Sequence, residues 1–477
     1  MPDKFAVDAE SRIIRLSQSP GVPASLAQDW AKRSNLTATE RYEIMSLPAD
    51  HPVRRALVSA PETAVFDPAV GGVVYFGDSW FRQWNSGNGT NQVFRAADSS
   101  IAHACQLLNY GFPVRNAGIG GNTSSMMLAR FESDVLAYFP AQVIIGATLN
   151  DATNDVPTAT SIANYTTIIR ELLARGVNVL VETVPPTAAA AINASKWALL
   201  MALNDWLNYT LPTLFPSVKI LDRFAICVDP TANPVGIVSG TYKDSLHYAS
   251  ALAFRVGKAE ADWLSKFYPQ GVFAAKTLGD NIVNRTGSRV LNQYALFQGT
   301  GGTKDANTTG TVADGNRVQR NTGTGAAVAS IVAHDVAGNW QQVAITGAGA
   351  ADIWQCGLIA AIAGGVAGLV AGGKYYWECE IDVSGIVGVN EVYLSATCVI
   401  DGVTYSFRDN SPNGGNQAGT TTPYRKMLRT EVFTIPADAV TLTTISHQVF
   451  CTFAAGIAGG SGAVTFKVAR LTPVALQ

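Results

Sequence analysis

The chain has 477 residues, a formal net charge of −2 and only 15% charged residues against 47% hydrophobic ones. At about 100 to 200 residues per domain, that length predicts two or three domains, each able to bury a core of its own. No lysine- or arginine-rich run is present to follow a phosphate backbone, so nucleic acid is excluded as an expected partner.

In chain order, the N-terminal stretch "MPDKFAVDAESRIIRLSQSPG" lacks the apolar core of a secretory signal. The expectation is a chain made in the cytoplasm, and kept there or exported by another route. Residues 1–70 read as a helical extension, with "PASLAQDWAKRSN" and "TATERYEIMSL" each carrying a Ser or Thr ahead of an acidic residue near the start. From 71 to 268, strand-like runs alternate with helical patterns. The runs are "VVYF" (73–76), "PVRNAG" (113–118), "QVIIGA" (142–147), "VNVLVETV" (177–184) and "VKILD" (218–222). Between them, Leu128, Phe131, Val135 and Tyr138 recur at helical spacing, and "SIANYTTIIRELLARG" ends on Gly176 at the C-terminal position that favours glycine. Strands separated by helices pair in parallel through right-handed crossovers, which predicts a three-layer α/β/α domain.

A linker at 269–288 leads into residues 289–477, where Gly, Thr, Ala, Asn and Val dominate and short alternating runs are spaced by glycine turns. That pattern predicts an all-β sandwich of jelly-roll type. Within it, "CGLIAAIAGGVAGLVAGG" (356–373) has no charge and the length of a bilayer span, but its glycines and the alternating "KYYWECEIDVSG" that follows read as sheet and loop. The six cysteines, Cys105, Cys227, Cys356, Cys379, Cys398 and Cys451, lack CxxC spacing and neighbouring histidines, so no metal site is expected.

The chemistry-bearing residues sit at strand ends. "VVYFGDSWF" runs a buried strand into Gly77-Asp78-Ser79. A serine there is either a turn residue or a nucleophile, and a nucleophile needs a base with an orienting partner. Of five histidines, His247 follows Asp244 in "KDSLHYAS", a spacing that brings a carboxylate to an imidazole over one turn. Asp244 as a simple cap is the plainer account of the same pair. His103, among apolar residues at helical spacing, reads as a core or surface histidine. "NAGIGGNTSS" (116–125) offers approachable backbone N–H groups through its paired glycines, and "GATLNDAT" (146–153) offers the Asn150 amide. An α/β-hydrolase elbow would need a second glycine where Phe81 stands. A dinucleotide loop would need one where Thr123 stands.

These four blocks, in this order on these elements, resemble the SGNH (GDSL-type) hydrolase superfamily. The resemblance implies Ser79 as nucleophile, His247 as general base oriented by Asp244, and an oxyanion hole of the Ser79 N–H, the Gly121 N–H and the Asn150 side chain. Asp78 is expected to brace the turn. Two departures are Trp80, where many members carry a smaller residue, and Thr148, which stands where G-x-N-D has its glycine, with Gly146 displaced. The family implies a serine esterase without metal or organic cofactor. The β region is similar to carbohydrate-binding and phage tail-protein domains, and "FQGTGGTKDANTTGTVADG" in particular to segments of phage tail fibre and tailspike proteins. The expected function is therefore removal of O-acetyl groups from a glycan or polysaccharide, with Trp340, Trp354, Tyr375, Tyr376 and Trp377 as candidate sugar-stacking aromatics or, for most of them, core residues of the sandwich. A tail protein would suit a homotrimer on a virion or outside the cell. The alternatives are a lipid or thioester hydrolase of the same family and a non-catalytic, glycan-binding adhesin.

Overall fold

A computed structural model describes residues 72–82, 92–187, 192–231, 236–237, 241–350, 352–358, 369–411 and 419–476. The helical reading of 1–70 and the middle of the membrane-like run, 359–368, lie outside them. Among the described residues no helix is long and apolar enough to cross a membrane. The described residues form two compact units, one drawn from 72–82, 113–184 and 192–222, the other from 92–112, 185–187 and the described residues between 223 and 476.

The first unit is built on five parallel strands: β1 (Val73–Gly77), β2 (Val114–Gly118), β3 (Gln142–Gly146), β4 (Asn178–Glu182) and β5 (Lys219–Leu221). Their order is β2-β1-β3-β4-β5. Every residue of β1 and β3 is buried, as continuous apolar runs require when helices cover both faces. The helices are α1 (Ser79–Arg82), α2 (Ser124–Asp134), α3 (Asn150–Thr153), α4 (Thr158–Ala174) and α5 (Ala194–Asp205). α4 buries Tyr165, Ile168, Ile169 and Leu172, the stripe a 3.6-residue period places on one face. Gly176 then takes φ +73°, the left-handed conformation that stops the helix. The strand order reverses between β1 and β3, and the carboxyl ends beside such a switch point are where open α/β sheets bind ligands.

The second unit holds two seven-stranded sheets. In one, strand 462–476 lies between 339–348 and 374–387. In the other, 442–453 lies between 389–400 and 353–358. Both sheets feed one buried cluster, where Trp377 of the first stacks on Phe407 of the second at 5.0 Å, so the pair is a sandwich. Strand Gln92–Ala96 adds to the edge of the second sheet, parallel to 403–411. Helix Ser100–Leu107 packs on helix Ser250–Leu264 so closely that a Cβ at Gly257 would meet the Ser100 carbonyl at 2.4 Å.

All six cysteines are buried. Trp340, Trp354, Tyr375, Tyr376 and Trp377 are each 5% exposed or less, which corrects their reading as sugar-stacking platforms. In strand 374–387 both faces are covered from Tyr375 to Ile381, so Tyr375, Tyr376 and Trp377 are core.

Candidate active site

β1 delivers Ser79 half-buried at the first position of α1, a single turn closed by the Phe81 and Arg82 N–H groups on the Asp78 carbonyl at 3.3 and 3.2 Å. Phe81 fixes how that turn sits. A Cβ at Gly77, Gly118 or Gly146 would lie 2.8, 2.7 or 2.9 Å from an atom of Phe81, so the last residue of each of three adjacent strands is glycine to admit this side chain. Gly146, the glycine displaced from G-x-N-D, therefore has a packing role of its own. Trp80 is 3% exposed, with its N–H on Asp78 Oδ1 at 3.0 Å. It is packed in the interior.

Asp78, buried, is the hub of a polar network. Its Oδ2 accepts from Thr148 Oγ1 at 2.8 Å and from Asn150 Nδ2 at 3.1 Å. The same two donors approach the Asn122 carbonyl at 2.8 and 3.1 Å. Thr148 Oγ1 also accepts from the Asn150 N–H at 3.0 Å, and the Thr148 N–H donates to Tyr165 of α4 at 2.9 Å. Asn150 Nδ2 thus has two protons and three acceptors, the third being Thr148 Oγ1 at 3.1 Å. Asp151 turns the other way, its Oδ1 accepting the Ser124 N–H at 2.8 Å and tying α3 to the start of α2.

The glycine loop follows β2. Ile119 N–H donates to the Gly77 carbonyl at 3.1 Å, and Asn122 N–H closes a turn on Ile119 at 3.3 Å. Gly121 sits third in that turn at φ +79°, where a Cβ would meet nothing within 4 Å. Backbone conformation, not space, calls for glycine there. Gly120 lies against the nucleophile, 3.7 Å separating its ideal Cβ from that of Ser79. Arg130 of α2 clamps this corner. It donates to the Gly77 carbonyl at 2.8 Å, the Ala117 carbonyl at 2.7 Å and Asn122 Oδ1 at 2.7 Å, with Asp134 Oδ2 at 2.8 Å as counter-ion. Neither Arg130 nor Thr148 was singled out from sequence as a site residue. Thr148 had a signal, standing in a glycine's place two residues before Asn150.

Asp244 and His247 meet in the second unit. Asp244 Oδ2 lies 2.9 Å from His247 Nδ1, while Oδ1 accepts the Leu246 and His247 N–H groups at 2.7 and 2.6 Å. Burial alone would raise the Asp244 carboxyl. The hydrogen bonds from the His247 ring, the two N–H groups and the charge of His247 outweigh it and hold the carboxyl below its ordinary range. Pairing at Nδ1 assigns acid–base work to Nε2. The loop is pinned by the Ala249 N–H on the Thr241 carbonyl at 2.7 Å, Thr187 Oγ1 on the Ser245 carbonyl at 2.7 Å and an ion pair from Lys243 to Asp98.

The other described histidines are structural. His103 is buried, with Nε2 on the Ala97 carbonyl at 2.8 Å, and burial followed by the Lys426 charge keeps it neutral. His334 pairs with Glu380 at 2.9 Å inside the sandwich, and burial pushes His447 down to about 3. Among the described residues no group of three or more His, Cys, Asp or Glu is placed to hold a metal ion.

Residues 75–247 match the GDSL-like Lipase/Acylhydrolase family. The resemblance drawn from the four blocks is borne out over that segment. No curated protein matches the chain. Similar solved structures include a GDSL-like lipase from Bacteroides thetaiotaomicron VPI-5482, 18% identical over 45% of this chain and 97% of that one, at TM-score 0.35. Another is a lipase/acylhydrolase from Enterococcus faecalis, 20% identical over 42% and 98%, at TM-score 0.33. A third is an acetyl-xylooligosaccharide esterase from Geobacillus Stearmophilus, 16% identical over 43% and 100%, at TM-score 0.34.

Proposed function

We propose, from this acylhydrolase-type segment, that the chain is a serine esterase that removes O-acetyl groups from a polysaccharide through an acyl-serine intermediate. Ser79 Oγ adds to the ester carbonyl carbon while its proton passes to His247 Nε2. Asp244 on Nδ1 holds the tautomer and stabilises the imidazolium. Negative charge on the carbonyl oxygen is met by the N–H groups of Ser79 and Gly121 and by Asn150 Nδ2. Because three protein acceptors share the two Asn150 protons, one N–H turns from them to the oxyanion as it forms. The bond to the sugar oxygen then breaks and His247 returns the proton to that oxygen. Water, deprotonated by His247, attacks acyl-Ser79 and releases acetate. Nucleophile, base and donors are all protein groups, so this chemistry calls on no metal or organic cofactor.

One observation supports the reading most: Asp78 joins the nucleophile's turn to Asn150 through Oδ2, as an oxyanion donor beside a nucleophile requires. The glycan part rests on the β sandwich that follows, residues 289–477, and on its similarity to domains that present enzymes to polysaccharide. A second reading, hydrolysis of lipid or thioester, is favoured by Ile119 and Met126, apolar side chains 43% and 54% exposed on either side of Gly121.

Hydrolysis of p-nitrophenyl esters decides between them. Activity on the acetate that disappears in Ser79→Ala is the expected result, and its absence from the intact protein leaves the adhesin. A steep preference for long acyl chains contradicts the deacetylase. Acetate release from a panel of acetylated polysaccharides, with Ser79→Ala as control, then identifies the substrate.

A further inference from the structure

The stretch that opens the β region, "NQYALFQ" (292–298), has no part in the esterase chemistry, yet with residues 275–290 it lines a cavity of about 250 Å3 within the second unit. The polar lining is mostly amide. Asn281 and Asn292 are buried walls held in place: Asn281 bridges the Leu278 carbonyl at 3.2 Å and the Asn284 N–H at 3.0 Å. Asn292 Nδ2 donates to the Leu471 carbonyl at 2.8 Å and to His447 at 3.2 Å, and its Oδ1 takes the Tyr294 N–H at 2.9 Å.

At the exposed rim the amides have spare capacity. Asn284 uses only Nδ2, on the Leu278 carbonyl at 3.3 Å, and Gln298 uses only Nε2, on the Leu296 carbonyl at 3.2 Å. Gln293 makes no side-chain hydrogen bond to a described residue. The apolar lining includes Val290, Leu296 and the 56%-exposed Leu278.

The one carboxylate, Asp280, is occupied by the Lys276 and Thr277 N–H groups at 3.0 and 2.8 Å and by Arg285 at 3.3 Å. No lysine, arginine or histidine lines the cavity. A phosphate or carboxylate would meet only Arg285, already paired with Asp280, and a wholly apolar ligand would bury amide groups without partners. A hydroxyl-rich neutral ring satisfies both halves, because amides donate and accept as hydroxyls do while apolar side chains take its C–H face. The volume lies below the ~300 Å3 at which sites for drug-sized ligands begin, which suits a single ring.

We propose that this cavity binds one neutral pyranose unit of a glycan, with Asn284, Gln293 and Gln298 reading its hydroxyls. The inference rests on the glycan reading above, and its test is separate from that of the esterase. Ligand-observed saturation-transfer NMR on the full chain is run with methyl glycosides of glucose, galactose, xylose and N-acetylglucosamine. At least one glycoside takes up saturation from the wild type and equally from Ser79→Ala. Asn284→Trp, which places a ring across the mouth from an exposed position, and Gln293→Ala, which removes one amide, weaken the effect at least fivefold. Hydrolysis of p-nitrophenyl acetate stays as in the wild type in both. Saturation of none of the four glycosides, or signals unchanged in both variants, overturns the proposal. Failure to release acetate from any polymer refutes the deacetylase and leaves the cavity's binding measurable.

Discussion

Asp78 divides its two oxygens between the nucleophile's own turn and the Asn150 side chain, so a shift of either is felt by the other. Removing the amide with Asn150→Ala should lower kcat about 10²- to 10³-fold with KM little changed, because the donation is made to charge that exists only in the transition state. Steady-state kinetics on p-nitrophenyl acetate checks the split. Arg130 acts one step further out, holding the carbonyls that end β1 and β2 together with the Asn122 side chain. Arg130→Met keeps an unbranched stem but loses every one of those bonds, together with the guanidinium that lies 4.6 Å from the Phe76 ring centre. It should lower kcat about tenfold at near-constant KM and cost roughly 2–3 kcal/mol in urea unfolding, since the Gly77 and Ala117 carbonyls and Asn122 Oδ1 lose a charged donor, the Gly77 carbonyl keeping only the Ile119 N–H. Nothing in the sequence signals Arg130, because its i+4 pairing with Asp134 reads as an ordinary helix-surface ion pair while the Gly77 carbonyl it holds lies 53 residues away. Ser79, Asn150 and the Asp244–His247 spacing were legible because each combines a chemically able side chain with a strand end or a one-turn separation.

At the scale of elements, three strands end on glycine against one phenylalanine. Gly146→Ala would put a Cβ 2.9 Å from Phe81 Cε2, an overpacking worth about 1–3 kcal/mol. Phe81→Leu removes the ring atoms it would strike, so the double variant should lose at least about 1 kcal/mol less than the two single losses added together. Urea denaturation of the four proteins measures the coupling, and strict additivity would count against the contact. The parallel strands themselves were readable as apolar runs between helical periods. The strand Gln92–Ala96 was not: it pairs with 403–411, and no local periodicity encodes a partner some three hundred residues on. Tyr375, Tyr376 and Trp377 failed as sugar platforms for a related reason. Alternation predicts a strand with one wet face, but strand 374–387 is covered on both.

Across the whole molecule, the sandwich buries ionisable groups whose cost varies with pH. Burial raises Glu378 to about 7, against the pull of the Ala274 N–H and of Arg429, Arg289 and Arg470. The unfolded carboxyl titrates near ~4.3. Between those values the folded chain keeps a proton the unfolded chain has released, so stability falls as pH rises through that window. Glu378→Gln removes the penalty. It should nearly match the wild type at pH 4 and exceed it by about 3 kcal/mol at pH 8, read by denaturant melts at both pH values. The central claim, that Ser79 is a nucleophile served by His247, is tested most directly by labelling with a fluorophosphonate and locating the adduct by peptide mass spectrometry. The account predicts one adduct per chain, on Ser79, lost in His247→Ala. An adduct on another residue, or labelling of Ser79 at an undiminished rate in His247→Ala, would contradict it.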